Sequence, residues 1–143
     1  PAALGGRRRV SRGPALIYVD SSALVKLVVA EAESDPLRRA LGRDPDQVAS
    51  AIVEVEVVRA VRRAAPGLVP QAQRVVAQLS VVEVTGSIRA RAASLDPSAL
   101  RPLDALHLAT ALEIRDEIEA MITYDARLAG AAVAAGLAVL APR

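Results

Sequence analysis

The stretch Leu16-Ile17-Tyr18-Val19-Asp20-Ser21-Ser22 places an acidic residue directly after a short apolar run with β-branched members. A second run, Met121-Ile122-Thr123-Tyr124, is followed in the same way by Asp125. Apolar runs without polar alternation are typical of strands that are buried on both faces, as they are in parallel sheets. The carboxyl ends of parallel strands share one edge of the sheet, where doubly wound folds bind ligands. We therefore expect Asp20 and Asp125 to emerge at the same edge.

Strand and helix signals alternate along the rest of the chain. Strands are predicted at residues 16–19, 47–49, 81–84, 121–123 and 137–140. Helices are predicted at residues 21–29, 35–42, 52–65, 70–79, 87–95, 103–113 and 126–135, with Ser21 and Ser22 as caps of the first. Strands that are separated by helices imply right-handed crossovers. The sequence therefore predicts an α/β fold, a three-layer α/β/α sandwich around a central parallel sheet of four to five strands.

The composition excludes several classes of site. The chain has 143 residues, 52% of them hydrophobic, which fits one domain. It contains no Phe or Trp and two Tyr, so the core is expected to consist of Val, Leu, Ile and Ala. The absence of Cys excludes disulfides, thiolate zinc sites and cysteine nucleophiles. The single histidine, His107, excludes multi-histidine zinc centres.

The positive charge is concentrated at the start of the chain. The net charge is +2, and residues 1–15 carry four arginines and no acid, which leaves 14 − 16 = −2 for residues 16–143. We expect residues 1–15 to be a basic leader outside the fold, with an arm that touches RNA or a partner as the alternative. Residues 16–143 are then the folded domain. Its near-neutral charge gives no strong basic footprint for nucleic acid.

No segment has the length and composition of a membrane span. The longest charge-free run, residues 128–142, contains two glycines and a proline and falls short of the about 20 residues that a span needs. The basic first residues lack the apolar segment of a signal peptide. We therefore expect a cytoplasmic protein.

Each acidic residue at a strand end also has a simpler interpretation. Asp20 could only begin the turn before a helix, and Asp125 could only cap the next helix. Asp104 follows Pro102 in the first turn of a helix, where a negative charge complements the helix dipole. His107, three residues later, is expected to be a packed, hydrogen-bonded side chain rather than a metal ligand.

An acidic residue in the predicted helix at residues 52–65 is harder to explain. This helix is apolar on most of its circumference and is expected to be largely buried. An acid there must be paired or coordinate a cation, and an ion pair between Glu56 and Arg59 is one solution. Glu54 and Glu56 point in different directions, and periodicity does not choose between them. Several acids without His or Cys partners favour a hard cation such as Mg²⁺ or Mn²⁺.

Four segments in this order resemble the PIN-domain ribonucleases, and the VapC toxins of toxin–antitoxin pairs are the subgroup they resemble most. The segments are residues 17–24, 50–60, 103–109 and 123–128, and residues 139–142 also resemble the end of the family's domain. The resemblance extends from Ile17 to the end and leaves out residues 1–15. Ser21 stands where the family commonly has Thr.

The resemblance implies a site made of four acids, Asp20, Glu56, Asp104 and Asp125, and thereby favours Glu56 over Glu54. Ser22 and Thr123 match hydroxyl residues that would orient the acids or water. The implied activity is an endoribonuclease that depends on one or two Mg²⁺ or Mn²⁺ ions, with tRNA or ribosomal RNA as a plausible substrate. Weaker candidates for phosphate contacts are Arg59, Arg101 and Arg127. The implied partners are a VapB-type antitoxin and a second copy of the chain, in a homodimer.

Other functions are weighed against this one. A signalling receiver would need an Asp after the third strand and a lysine after the last-but-one strand. Here the third strand is followed by Thr85, and the only lysine is Lys26 in the first helix. Two alternatives remain, a catalytically silent PIN-like binding module and a PIN nuclease that is not paired with an antitoxin.

Overall fold

The central sheet of the computed structural model, which describes residues 16–42 and 46–143, is entirely parallel. Its five strands in the described part of the chain are β1 (Leu16–Val19), β2 (Asp46–Ser50), β3 (Ser80–Val82), β4 (Ile118–Ile122) and β5 (Val139–Leu140). Their order across the sheet is β3-β2-β1-β4-β5. The predicted parallel sheet is confirmed, whereas the predicted basic leader lies outside the described residues.

Helices connect the strands and cover both faces of the sheet. They are α1 (Ser21–Lys26), α2 (Ser34–Leu41), α3 (Val53–Ala64), α4 (Val69–Ala77), α5 (Gly86–Ser94), α6 (Pro102–Glu113) and α7 (Ala126–Ala134). Residues of α1 to α4 pack against one face, which presents Ile17 and Val19 of β1. Residues of α6 and α7 pack against the other face, which presents Tyr18, and α5 packs against α6. The predicted three-layer α/β/α sandwich is confirmed.

The strand order explains where a site can form. From β1 the chain moves outward through β2 to β3, and it then returns to the other side of β1 to form β4. The direction of winding therefore reverses between β1 and β4. Such a reversal leaves a crevice beyond the carboxyl ends of the two strands, because their following segments diverge to opposite faces. Asp20 follows β1, and Asp125 lies three residues after β4.

Two predicted element boundaries were wrong for reasons of local bonding. The first helix ends at Lys26 rather than near residue 29, and the Ser34 hydroxyl donates to the Lys26 carbonyl at 2.7 Å. Its N-cap is Asp20, whose side chain accepts from the Ala23 amide, and not Ser21 or Ser22. The fourth strand starts at Ile118, earlier than residue 121. Glu119 interrupts its apolar pattern, and the pairing with β1 shifts register at this residue.

The expectation that the helix containing Glu56 is largely buried was wrong. Only a stripe formed by Val53, Val57 and Val61 is buried in α3, whereas Val55 is 61% exposed. The buried residues recur at intervals of four, which is the spacing of a helix that packs on one side only. The opposite side of α3 is therefore available to form the wall of a cleft.

Among the described residues, no helix is long and apolar enough to cross a membrane. The longest, α3 and α6, have 12 residues each, whereas a span needs about 20.

Candidate active site

Asp20 is the acid most deeply buried at the crevice, with 3% of its surface exposed. Its Oδ1 accepts hydrogen bonds from the Ser22 hydroxyl at 2.7 Å and from the Ala23 amide at 3.0 Å. Its Oδ2 accepts from the Thr123 hydroxyl at 2.5 Å. Both oxygens of this carboxylate are therefore held by donors, which fix its orientation. Two of the three donors are the hydroxyls of Ser22 and Thr123, which the sequence singled out.

The same two hydroxyls connect the segments that follow β1 and β4. The Ser22 Oγ accepts from the Tyr124 amide at 3.0 Å, and the Thr123 Oγ1 accepts from the Asp125 amide at 3.1 Å. Both hydroxyls donate to Asp20, so Thr123 reaches across from the segment after β4, whereas Ser22 also accepts from the backbone of that segment. This arrangement holds Asp20 and Asp125 at a fixed separation across the crevice.

Burial raises the pKa of Asp20, and the hydrogen bonds from Thr123 and Ser22 oppose this effect without cancelling it. Desolvation penalises the charged form of a carboxyl group, whereas a nearby positive charge favours it. The ionised Asp20 therefore gains free energy from a cation in the crevice. A proton competes for the same group, and cation binding at Asp20 is favoured as the pH rises.

Asp125 caps α7 and also reaches across the crevice. Its Oδ1 accepts from the amides of Arg127 and Leu128, at 2.9 and 3.0 Å, as the simpler interpretation predicted. Its Oδ2 accepts from the Arg101 guanidinium at 3.1 Å. The Nε of the same guanidinium donates to Asp104 Oδ2 at 3.1 Å. Arg101 therefore bridges two of the four acids.

Glu56 is paired with His107 rather than with Arg59. Its Oε1 lies 2.8 Å from His107 Nε2, and the Nδ1 of this histidine lies 2.8 Å from the Tyr18 hydroxyl. The Tyr18 oxygen also accepts from the Ser50 amide at 3.2 Å. A carboxylate only accepts, so Nε2 donates to Glu56, and in a neutral histidine Nδ1 then accepts from the Tyr18 hydroxyl. His107 is 1% exposed, which agrees with a packed, hydrogen-bonded histidine.

The Tyr18–His107–Glu56 chain was not foreseen from the sequence. Each member stands in a different element, β1, α6 and α3, and the two pairs are 89 and 51 residues apart. The available signals were the single histidine of the chain and a tyrosine in an otherwise aliphatic strand. Neither signal identifies the other residue as its partner.

All four acids face one cleft, which has a volume of about 970 Å³. Its walls also include Ser22, Arg59 and Arg101 among the residues that the sequence singled out. Thr123 is buried behind Asp20, and Arg127 lies outside the residues that line the cleft. The tertiary structure thus brings together four acids, the first and last of which are 105 positions apart in the sequence: Asp20, Glu56, Asp104 and Asp125.

The chemistry of the donor set fits a hard divalent cation. Carboxylate oxygens are the ligands that Mg²⁺ and Mn²⁺ prefer, and one of the four here is desolvated. Within residues 16–42 and 46–143, no three acidic or histidine side chains lie close enough together to hold a metal ion. In this arrangement Arg101 engages Asp104 and Asp125, and His107 engages Glu56. The guanidinium therefore supplies the positive charge at one side of the cleft.

The fold and the cleft agree with the comparison to known protein families. Residues 17–134 match the family model of the PIN domain, so the chain belongs to the PIN-domain family. Ribonuclease VapC46 of Mycobacterium tuberculosis is 42% identical over 128 residues, which cover 90% of this chain and 98% of that protein. This identity places the chain among the VapC members of the family, and the resemblance noted in the sequence is confirmed.

Solved structures show the same fold at lower sequence identity. The crystal structure of VapC20 from Mycobacterium tuberculosis, a toxin that cleaves the sarcin–ricin loop, aligns with a TM-score of 0.71 and 20% identity. The alignment covers 88% of this chain and 99% of VapC20. A toxin–antitoxin complex from Klebsiella pneumoniae aligns with a TM-score of 0.69 and 20% identity, over 89% of this chain and 98% of that one.

Proposed function

We propose that this chain is the toxin of a type II toxin–antitoxin pair, an endoribonuclease that requires Mg²⁺ or Mn²⁺. The observation that carries the proposal is the convergence of Asp20, Glu56, Asp104 and Asp125 on one cleft. The VapC ribonuclease that is 42% identical supports nuclease activity. Cleavage would hydrolyse an RNA phosphodiester and leave a 5′-phosphate and a 3′-hydroxyl.

The four acids would hold one or two ions, and groups other than Arg101 keep three of them in place. Ser22 and Thr123 orient Asp20, His107 orients Glu56, and the backbone amides at the start of α7 orient Asp125. A bound divalent cation would supply the charge that polarises a phosphate and activates water. Because Arg101 engages Asp104 and Asp125, it must leave them before a cation binds there.

Three arginines are candidates for contacts to the RNA backbone. Arg59 and Arg101 line the cleft beside the acids, whereas Arg127 does not line it. We therefore assign the stronger role to Arg59 and Arg101. Phosphate contacts position a nucleic acid without reading its sequence, so these residues would not define the target.

The substrate and partners follow from the relatives. VapC20 cleaves the sarcin–ricin loop, which supports ribosomal RNA as one substrate class, and tRNA is the other. The Klebsiella complex supports a VapB-type antitoxin as the partner. An antitoxin side chain with a positive charge would fit the cleft, since Arg101 already occupies such a position. A homodimer in the cytoplasm completes the proposal.

Metal removal tests the proposed activity directly. Incubation of the protein with total cellular RNA and Mg²⁺ or Mn²⁺ is expected to give discrete fragments, because the acids need a cation to bind a phosphate. Excess EDTA is expected to abolish the fragments, and re-addition of Mn²⁺ to restore them. Sequencing of the fragment ends would locate the cleavage site.

Three results would contradict this proposal. Cleavage that persists in EDTA would exclude a metal-dependent mechanism at the cleft. RNA binding without cleavage, in protein that binds Mn²⁺, would favour the alternative of a catalytically silent binding module. Cleavage without growth inhibition on expression would instead favour a PIN nuclease that has no antitoxin.

Replacement of Arg101 by glutamine is expected to increase the affinity for Mn²⁺ by about three- to tenfold. The guanidinium pairs with both Asp104 and Asp125 at an exposed position, where such pairs are weak, and a cation must displace it from both acids. Titration of Mn²⁺ by calorimetry measures this change. Arg74→Gln, an exposed change on α4 outside the cleft, serves as the control. An affinity equal to or below that of the unmodified protein would show that Arg101 does not compete with the cation.

A further inference from the structure

The exposed side of α3 carries three arginines next to the cleft. Arg59, Arg62 and Arg63 are all exposed, and together they line a second cavity of about 420 Å³. Arg59 and Arg63 also line the cleft that holds the four acids. The second cavity therefore adjoins the candidate active site, and two side chains are shared between them.

None of these three arginines forms an ion pair with an acid of the described residues. Other described arginines also lack such a pair, among them Arg39, Arg74 and Arg89, but those lie on three different helices, whereas these three share α3. The helix dipole favours positive charge in the last turn of α3, which explains the presence of Arg62 and Arg63 there. It does not explain Arg59, which lies before that turn. The patch is thus a local excess of positive charge on a domain whose net charge is −2 for residues 16–143, from 14 basic and 16 acidic residues.

The spacing along α3 arranges the charges in a row. Glu56, Arg59 and Arg63 are separated by three and four residues, so they lie on one side of the helix. At a rise of about 1.5 Å per residue, Arg59 lies about 4.5 Å and Arg63 about 10.5 Å beyond Glu56 along the axis. Arg62 lies beside Arg63. The row therefore begins at an acid of the site and leads away from it.

We propose that Arg59, Arg62 and Arg63 form a phosphate track, which holds the RNA strand on one side of the scissile bond. This inference rests on the proposed ribonuclease function and adds the surface that positions its substrate. Guanidinium groups bind phosphates through paired, charge-assisted hydrogen bonds. Successive phosphates of an extended strand match a row of cations that starts at the reacting position.

An acidic protein segment is the competing occupant, and the lining of the second cavity argues against it. Among residues 16–42 and 46–143, arginines alone line that cavity, whereas stable protein interfaces depend on buried apolar or aromatic anchors. Contacts to an RNA backbone require no such anchor, because most of them are made to phosphate and sugar.

The test compares two triple variants with the same change in charge. The track variant replaces Arg59, Arg62 and Arg63 by glutamine. The control variant carries the exchanges Arg39→Gln, Arg74→Gln and Arg89→Gln, at exposed arginines that line neither cavity. Binding of a short, fluorescein-labelled single-stranded RNA is measured by anisotropy in EDTA, over a range of salt concentrations. Thermal unfolding of all three proteins verifies that each is folded.

The track variant is expected to bind this RNA at least about tenfold more weakly than the unmodified protein at moderate salt. The plot of log K against log salt has a negative slope, and its magnitude is expected to decrease by about 2 in the track variant. Each of the three lost phosphate contacts accounts for about 0.7 of this decrease. The control variant is expected to stay within about twofold of the unmodified protein, because its arginines contact no RNA. Equal losses in both variants, or no loss in the track variant, would overturn the proposal.

Three further outcomes separate this inference from the function on which it rests. If the track variant binds RNA normally but loses affinity for a polyglutamate peptide, the surface fits an acidic protein and the track is wrong. If the unmodified protein cleaves RNA with Mn²⁺ and the track variant cleaves it with the same KM, only the track is wrong. If the unmodified protein neither binds nor cleaves RNA, both proposals fail.

Discussion

Replacement of Asp20 by asparagine is expected to reduce metal-dependent cleavage of RNA by more than about 100-fold. Loss of a residue that only orients a metal ligand typically costs about 10- to 100-fold, and Asp20 is proposed as a ligand itself. The substitution removes the negative charge of the most deeply buried acid while it keeps the shape of the side chain. Initial rates of fragment formation from total RNA, with Mg²⁺ or Mn²⁺, measure the effect.

The fold is expected to tolerate this substitution. Asparagine is as good an N-cap as aspartate, so its Oδ1 can still accept from the Ala23 amide. Its Nδ2 can donate to the Thr123 hydroxyl, which has a second lone pair available beside the one used by the Asp125 amide. Asp116→Asn, an exposed change outside the cleft, is the matched control and should cleave at the unmodified rate. Equal cleavage by the Asp20 variant would place the active site elsewhere or reveal a contaminating nuclease.

Replacement of Leu108 by alanine is expected to lower the free energy of unfolding by about 2–5 kcal/mol. Leu108 is fully buried in α6 and belongs to the core cluster that contains Tyr18, Met121 and Leu128. With no Phe or Trp in the chain, this core consists largely of aliphatic side chains. Truncation therefore leaves a cavity that small neighbours such as Ala111 cannot fill without movement of the helix. Urea unfolding followed by circular dichroism measures the change.

The same helix provides the control for this prediction. Leu103 is 48% exposed and lies five residues earlier in α6, so Leu103→Ala has the same chemistry without the burial. Its effect on unfolding is expected to stay within about 0.5 kcal/mol. Similar losses in the two variants would show that helix propensity, rather than core packing, dominates the stability of α6.

Local patterns were sufficient for most of the architecture. The apolar run at residues 16–19 predicted β1 with the bounds that the structure has. The alternation of strands and helices predicted the parallel sheet and its two covering layers, because a parallel strand must be reached by a crossover. Predictions failed where one residue broke a pattern, as Glu119 does in β4. They also failed where a distant side chain ended an element, as Ser34 does for α1.

The candidate acids were chosen from sequence in two different ways. Asp20 and Asp125 follow from their positions after apolar strands, since the geometry of a parallel sheet brings such positions to one edge. Glu56 and Asp104 stand in helices, where periodicity gave no reason to prefer Glu56 over Glu54, and the family resemblance made the choice. In the structure Glu54 is exposed and does not line the cleft, whereas Glu56 lines it.

The sequence by itself determined the class of fold, the family and the chemical type of the site, because these depend on local patterns and on which residues are present or absent. Only the tertiary structure decided which distant groups the acids contact. Arg101 reaches Asp125 across 24 residues, and His107 joins Glu56 to Tyr18 across longer separations. Such pairs depend on the angle and distance between packed elements. No local periodicity encodes these quantities, so the electrostatics of the cleft became visible only once the sheet and its helices were assembled.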